Sequence, residues 1–201
     1  MKKLSLIALF FVACSSIMAQ SVEFTPIYGY TFSGTVYDYY GTFDVKDDVT
    51  FGGLLNVEID QGLYVELSYQ RINPTLIEER PLVNLKHDIG IEHYQIGAQK
   101  EFKQGQVKPF AELLLGTSRY FPRSGNNKDV WRFSGTLGLG AKVFFNDYLG
   151  IRLHTRLALP MEFGGAGIFC GIGGGCSGGV SFNVPLAHWE LGGGLIIRLP
   201  N

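Results

Sequence analysis

The sequence has few charged residues, no basic cluster and no long hydrophobic run. Charged residues make up 17% of the chain, against about 25% in a typical soluble domain. The net charge is −1 and lysine and arginine are scattered, which excludes nucleic acid as a partner. No apolar run reaches the ~20 residues of a membrane helix, and helical periodicity is missing after residue 20. Aromatic residues, at 13% of the chain, and glycine, with 27 residues, are abundant. This composition favours β-structure in a membrane.

The first 19 residues read as a secretory signal peptide. Lys2 and Lys3 precede an apolar segment, and Ala19 closes a stretch of small residues before Gln20, the order of such signals. We expect cleavage after Ala19 and a single mature domain over 20–201, with lipid attachment at Cys14 as the alternative. The mature chain then keeps two of the three cysteines.

Alternation with period two recurs through the mature chain and predicts eight strands. In the clearest case, Leu63 to Gln70, apolar and mostly polar residues take turns. The early part of strand 4 is out of phase, which predicts a bulge near Glu92. The predicted strands lie at about 22–32, 49–60, 63–70, 88–102, 107–119, 131–145 and 149–159, with the eighth ending near Leu199.

The connections alternate strictly between short and long. Outer-membrane barrels have short periplasmic turns and longer external loops, so the pattern predicts an eight-stranded antiparallel up-and-down transmembrane β-barrel in the bacterial outer membrane, with its N-terminus in the periplasm. The short turns are 60–62, 103–106 and 146–148, and the long links are 33–48, 72–87, 120–130 and 160–180.

The polar face carries glycines and charges of both signs, whereas the apolar face is nearly free of charge. This arrangement favours a barrel with its apolar face toward lipid over a soluble barrel with the apolar face inside. Eight strands enclose a space that side chains fill, so we expect a paired interior charge network. Its predicted members are Glu58, Glu66, Glu112, Glu190, Arg132, Lys142, Arg152, His154, Arg156 and Arg198.

Three short stretches resemble the small eight-stranded outer-membrane barrels of the OmpX/OmpW type, especially those of Bacteroidetes-type bacteria. They are FTPIYGYTFSG at 24–34, LALPMEFGGAG at 157–167 and LGGGLIIRL at 191–199. The resemblance extends over the mature chain and implies location more than activity. Such barrels usually end on an aromatic residue that the assembly machinery recognises, whereas this chain ends Leu199-Pro200-Asn201.

The glycine-rich stretch GGAGIFCGIGGGCSGG at 164–179 holds Cys170 and Cys176. It has no lysine and no following helix, so it is not a phosphate-binding loop. Two sulfurs alone do not make a zinc site, which normally has four ligands. In an exported protein, two cysteines suggest one disulfide. We therefore predict an external loop, or upper strand ends, closed by a Cys170–Cys176 disulfide, with a reduced pair as the alternative.

The sequence shows only weak patterns for a catalytic, haem or metal site. None of the histidines at 87, 93, 154 and 188 has a serine two residues along the strand, and the histidines do not cluster. Asp44, Asp47 and Asp48 lack the spacing of a calcium loop. We expect no enzyme and no cofactor, with a lipid-modifying enzyme as the remote alternative.

Two functions remain after this exclusion. The first is a plugged barrel that displays surface loops for an extracellular ligand or another surface partner, and the second is a narrow porin-like channel for small solutes. The expected partners are outer-membrane lipid and, during biogenesis, the barrel-assembly machinery. We expect a monomer.

Overall fold

The structure, a computed structural model, describes residues 21–33, 35–38, 41–80, 83–102, 105–123, 129–171, 175–183 and 187–199. The predicted signal peptide, Cys14 and the last two residues lie outside these ranges. Within them, no helix has the length and apolar character needed to cross a membrane.

Strands make up almost all of the described chain. They are β1 (Val22–Phe32), β2 (Thr35–Asp38), β3 (Gly41–Val45), β4 (Asp48–Asp60), β5 (Leu63–Ile72), β6 (Thr75–Arg80), β7 (Val83–Glu101), β8 (Val107–Pro122), β9 (Val130–Phe144), β10 (Leu149–Gly171), β11 (Gly175–Asn183) and β12 (His188–Leu199).

Eight of these strands form a closed ring. Each pairs antiparallel with its neighbours in the order β7, β5, β4, β1, β12, β10, β9, β8, and β8 pairs again with β7. Because ring neighbours follow one another along the chain apart from the inserted short strands, the topology is up-and-down. The predicted eight-stranded antiparallel transmembrane barrel is confirmed. In this ring β10 lies diametrically opposite β5, which decides how the interior side chains meet.

The remaining strands occupy segments that were expected to be long loops. β2, β3 and β6 extend a second sheet from the upper part of β7, and β11 pairs with the upper part of β10 as a hairpin. The loop assignments over 33–48 and 72–87 were therefore wrong in part, because turn-forming residues such as Pro74 and Asn84 interrupt the alternation there. For the glycine-rich stretch within 160–180, the β10–β11 hairpin fits the alternative of upper strand ends. In the link between β8 and β9 the described residues, Arg123 and Asp129, belong to no strand.

The predicted bulge near Glu92 is wrong. The pairing of β7 with β5 and with β8 runs through Glu92 without a shift of register. Ile91 appeared out of phase because it faces inward, fully buried, among otherwise polar neighbours. An apolar residue on the inner face looks like a phase change when only the sequence is read.

The two faces of the barrel wall differ sharply. Leu153 is 63% exposed, whereas its neighbour Arg152 is fully buried, and the same alternation holds around the ring. Aromatic side chains concentrate on the outer face toward the two ends, as in the girdles of membrane barrels. At the loop end they are Tyr30, Phe32, Tyr69, Tyr94, Trp131, Phe133 and Trp189, and at the turn end Phe24, Phe102, Phe145 and Tyr148.

Candidate functional site

A cluster of two arginines and two glutamates lies in the middle of the barrel. Arg152 Nη1 is 2.8 Å from Glu66 Oε2, and its Nη2 also donates to Glu112. Arg156 Nη2 is 2.6 Å from Glu66 Oε1, and its Nε is 2.6 Å from Glu112 Oε1. Each arginine thus binds both glutamates, and the four charges sum to zero. We call these four residues the central cluster.

The alternation of three strands builds the central cluster. Arg152 and Arg156 share the inner face of β10, Glu66 points inward from β5 and Glu112 from β8. Because β5 lies across the ring from β10, both arginine side chains span the lumen. All four residues are at most 4% exposed, so the central cluster lies fully inside the barrel.

Amide side chains complete the central cluster. Asn56 Nδ2 donates to Glu66 Oε2 at 2.8 Å, and Gln99 Oε1 accepts from Arg152 Nη1 at 2.9 Å. Burying charge costs several kcal/mol per ion unless pairing and additional hydrogen bonds compensate. Most polar atoms of these six residues have a partner, whereas Arg152 Nε and Gln99 Nε2 have none among the described residues.

A second cluster lies near the short turns. Lys142 Nζ is 2.7 Å from Glu23 Oε2 and 3.1 Å from Glu101 Oε1. Arg198 Nη2 is 2.6 Å from Glu23 Oε1. The ammonium group of Lys142 also lies 4.3 Å from the centre of the Tyr64 ring, a favourable cation–π distance. We call Glu23, Glu101, Lys142 and Arg198 the turn-end cluster.

A third group lies on the loop side of the central cluster. Glu190 accepts from Gln70 Nε2 at 2.9 Å and contacts His154 Nε2 at 2.9 Å. Above it, the rings of His93 and His188 are 6.0 Å apart. Apolar side chains fill the space between these polar layers. They include Leu54, Ile72, Ile91, Leu114 and Ile196, each at most 1% exposed.

Eight of the ten residues predicted for the interior network lie in these three groups. For the two others, Glu58 and Arg132, the structure gives different contacts. Glu58 Oε1 accepts the backbone N–H of Gly62 at 3.1 Å, in the turn between β4 and β5. Arg132 donates to the carbonyl of Trp131 at 3.5 Å, near the loop end.

Several interior polar residues were missed by the sequence analysis. Glu23 and Glu101 belong to the turn-end cluster, and Gln70 and Gln99 hold the ion pairs. Glu23 could have been found, because it alternates with the outward Phe24 on β1. The two glutamines could not, since alternation places them inside without showing which charges they reach.

The structure brings a histidine and a serine together across two strands. His93 Nδ1 is 2.6 Å from Ser118 Oγ, because the two residues are direct partners in the β7–β8 pairing. Both side chains are buried, at 2% and 0% exposure. His93 Nε2 has no hydrogen-bond partner among the described residues, so no carboxylate orients the ring as a catalytic triad requires. The described residues also hold no group of three or more side chains suited to a metal ion.

The backbone register places Cys170 opposite Cys176 in the β10–β11 hairpin. Opposed residues in antiparallel strands have Cα atoms about 4.5–5.5 Å apart, within the range that a disulfide spans. The side chains of both residues lie outside the described part of the structure, and the disulfide stays a prediction.

A thiol-labelling experiment tests this disulfide. The mature chain, purified without reductant and unfolded in urea, should take up no maleimide, and two maleimides after reduction. Cys170→Ser should instead label once without reductant. Labelling of both thiols in the unreduced parent would contradict the disulfide.

Solved structures of bacterial outer-membrane barrels are similar to this chain. Neisserial surface protein A is 14% identical with a TM-score of 0.57, over 89% of this chain and 96% of that one. The outer membrane protein AlkL, solved in lipid bilayers, is 10% identical with a TM-score of 0.56, over 90% of each chain. The N-terminal barrel domain of Pseudomonas aeruginosa OprF is 12% identical with a TM-score of 0.50, over 89% of this chain and 97% of that one. No protein-family model matches the sequence, and no curated protein matches it significantly. At these identities the similarity establishes the fold.

Proposed function

We propose that this protein is an integral outer-membrane barrel with an occluded interior, which acts through its external loops rather than by transport or catalysis. The observation that carries the proposal is the central cluster. Arg152 and Arg156 reach across the lumen to Glu66, and neither arginine is more than 1% exposed. A chain of ion pairs across the lumen supports an interior without a continuous aqueous path.

Three features support the outer-membrane location. The outer wall is apolar between two sets of aromatic residues, the short and long connections alternate, and the fold is that of known outer-membrane barrels. The predicted signal peptide over 1–19 would supply export to the periplasm. Insertion would then depend on the barrel-assembly machinery, and the outer wall would contact membrane lipid.

The ring leaves no unpaired strand edge in the barrel wall, so the barrel has no backbone template for a second copy. This supports the monomeric state. External partners would instead bind at the loop end, where the β2–β3–β6 sheet and the β10–β11 hairpin extend β7 and β10 beyond the ring. An extracellular ligand that binds these segments is the function that best fits a plugged barrel.

A narrow channel for small solutes is the second candidate function. One observation favours it: several buried polar atoms have no hydrogen-bond partner among the described residues, including Gln99 Nε2, His154 Nδ1 and His188 Nε2. Such atoms commonly bind ordered water. A file of waters through the barrel would turn the plug into a narrow path.

Conductance measurements distinguish the two functions. The mature chain is refolded in detergent, its folding is checked by heat-modifiable gel migration, and it is inserted into planar bilayers. We expect no discrete openings from the folded parent.

The matched variants are Arg152→Gln, which alters the central cluster, and Lys100→Gln, which removes the same charge from an exposed position near the turns. Reproducible openings in the parent that change with Arg152→Gln and not with Lys100→Gln would establish the channel and overturn the plug.

A further inference from the structure

Three charged residues form a row on the outer wall near the loop end. Arg71 on β5, Glu92 on β7 and Arg119 on β8 are direct partners in the strand pairing. Arg71 Nη1 is 3.5 Å from Glu92 Oε1, and Arg119 Nη1 is 3.1 Å from Glu92 Oε2. Charged residues are costly on the lipid-facing wall of a barrel except near its interfaces. The row therefore marks the level of the lipid headgroups.

The carboxylate of this row is buried, and the guanidinium groups are not. The side chain of Glu92 is 7% exposed, whereas those of Arg71 and Arg119 are each 33% exposed. The hydroxyl groups of Tyr69 and Tyr94 donate to Glu92 at 3.3 and 2.9 Å. The carboxylate is thus shared among four donors, and the row presents mainly positive charge outward.

Phe121 and Asp129 hold the two arginines in place. Both guanidinium groups lie over the ring of Phe121, at 5.2 Å for Arg71 and 4.9 Å for Arg119. Asp129, in the link before β9, binds Arg119 Nη2 at 2.7 Å. Asp129 is itself exposed at the loop end. A more highly charged anion can therefore replace it as the partner of Arg119.

An apolar groove of about 640 Å³ lies directly below the row. Leu67, Ile96 and Leu115 line it. Tyr69 and Tyr94 line its loop-side end, where their hydroxyl groups reach Glu92. Gly53 leaves part of the outer wall without a side chain at this level. The groove and the arginines therefore form one continuous surface, apolar toward the membrane centre and cationic toward the loops.

We propose that this surface binds a phosphorylated glycolipid of the outer leaflet, with one acyl chain in the groove and a phosphate on Arg71 and Arg119. Arginine forks bind phosphate through paired hydrogen bonds, and a phosphomonoester carries about −1.5 to −2 charge, more than the single charge of Asp129. The proposal rests on the proposed membrane location and on the loop end facing outward. It is independent of whether the interior conducts, because the groove lies on the outer wall.

Native mass spectrometry of the folded chain in detergent tests the site. The probes are bisphosphorylated lipid A, its dephosphorylated form and phosphatidylethanolamine. We expect the parent to retain lipid A in preference to the other two. The double variant Arg71→Gln/Arg119→Gln should weaken retention about tenfold or more, because two charge-assisted contacts are lost. Lys100→Gln, at the opposite end of the barrel, should leave it unchanged.

Two further variants separate binding from folding. Glu92→Gln should increase retention, since the arginines lose their competing carboxylate, an effect that damage to the structure would not produce. Gly53→Leu should decrease it by filling the groove without altering charge. Heat-modifiable migration of each variant shows whether it folds, and insertion of the parent into bilayers tests the membrane location separately.

Three results would overturn the proposal. Equal retention of lipid A and its dephosphorylated form would remove the role of phosphate. Complete displacement by inorganic phosphate would remove the role of the groove. Unchanged retention in the arginine double variant, with the variant folded, would place any bound lipid elsewhere.

Discussion

Arg156→Met is expected to lower the free energy of unfolding by about 3–5 kcal/mol, the cost of breaking a buried ion pair from one side. Arg156 contacts both Glu66 and Glu112. Its removal leaves two buried carboxylates facing Arg152 alone, so the central cluster acquires a net negative charge. Urea unfolding in detergent micelles, followed by tryptophan fluorescence, measures the loss.

Restoring neutrality should recover much of this stability. The double variant Arg156→Met/Glu112→Gln retains the Arg152–Glu66 pair and removes the excess charge, so the two changes should be strongly non-additive. Lys100→Met is the matched control, because Lys100 is exposed near the turns, and it should change stability by about 0.5 kcal/mol or less. If Arg156→Met cost no more than Lys100→Met, the central cluster would not stabilise the barrel.

Gly97→Ala is expected to destabilise the barrel by about 3 kcal/mol, the upper part of the usual range for overpacking. Gly97 faces inward on β7, opposite Glu66 on β5. A Cβ at this position would lie 1.9 Å from the carbonyl oxygen of Leu113 and 2.6 Å from the Cα of Leu114. Both atoms belong to the backbone of β8, which cannot move without disturbing the pairing of the two strands.

Gly53→Ala is the control for this prediction. Gly53 lies on the outer face of β4, where an added Cβ would approach only the ring of Phe24, at 3.4 Å. The Phe24 side chain can shift more easily than a strand backbone. The loss of stability in Gly53→Ala should therefore stay below about 1 kcal/mol. Equal unfolding midpoints for the two variants, measured by heat-modifiable migration over a temperature series, would show that β7 and β8 tolerate the extra methyl group.

Alternation made the barrel predictable. A strand with one face in lipid and one in a polar interior must alternate, and segments such as Leu63 to Gln70 do so plainly. The turn-side ends of the barrel strands were accordingly placed within about one residue of where the structure has them, whereas β7 and β10 extend further on the loop side. Alternation fails where the inner face turns apolar, as at Ile91, and where turn-forming residues interrupt it, as at Pro74. Those are the places where the bulge and the loops were mispredicted.

The partners of the interior charges could not be predicted in the same way. Arg152 and Glu66 are separated by 86 residues, and their contact depends on the closure of the ring, which sets β10 across from β5. For Glu92, the sequence predicted a wrong structural role as well as missing its partners. It was predicted to mark a bulge, whereas it joins Arg71 and Arg119 on the outer wall. Only the three-strand register brings these residues together.

The length of β10 determines how far the β10–β11 hairpin extends beyond the barrel. Its pairing with β9 ends at Met161, and the strand continues to Gly171 in partnership with β11. Ten residues at about 3.3 Å each make a ribbon roughly 33 Å long, about as long as the hydrocarbon core is thick. In the proposed orientation, with the loop end outside the cell, the tip of this ribbon would lie about that far from the barrel rim. Shortening the ribbon would reduce reach and leave the barrel wall intact.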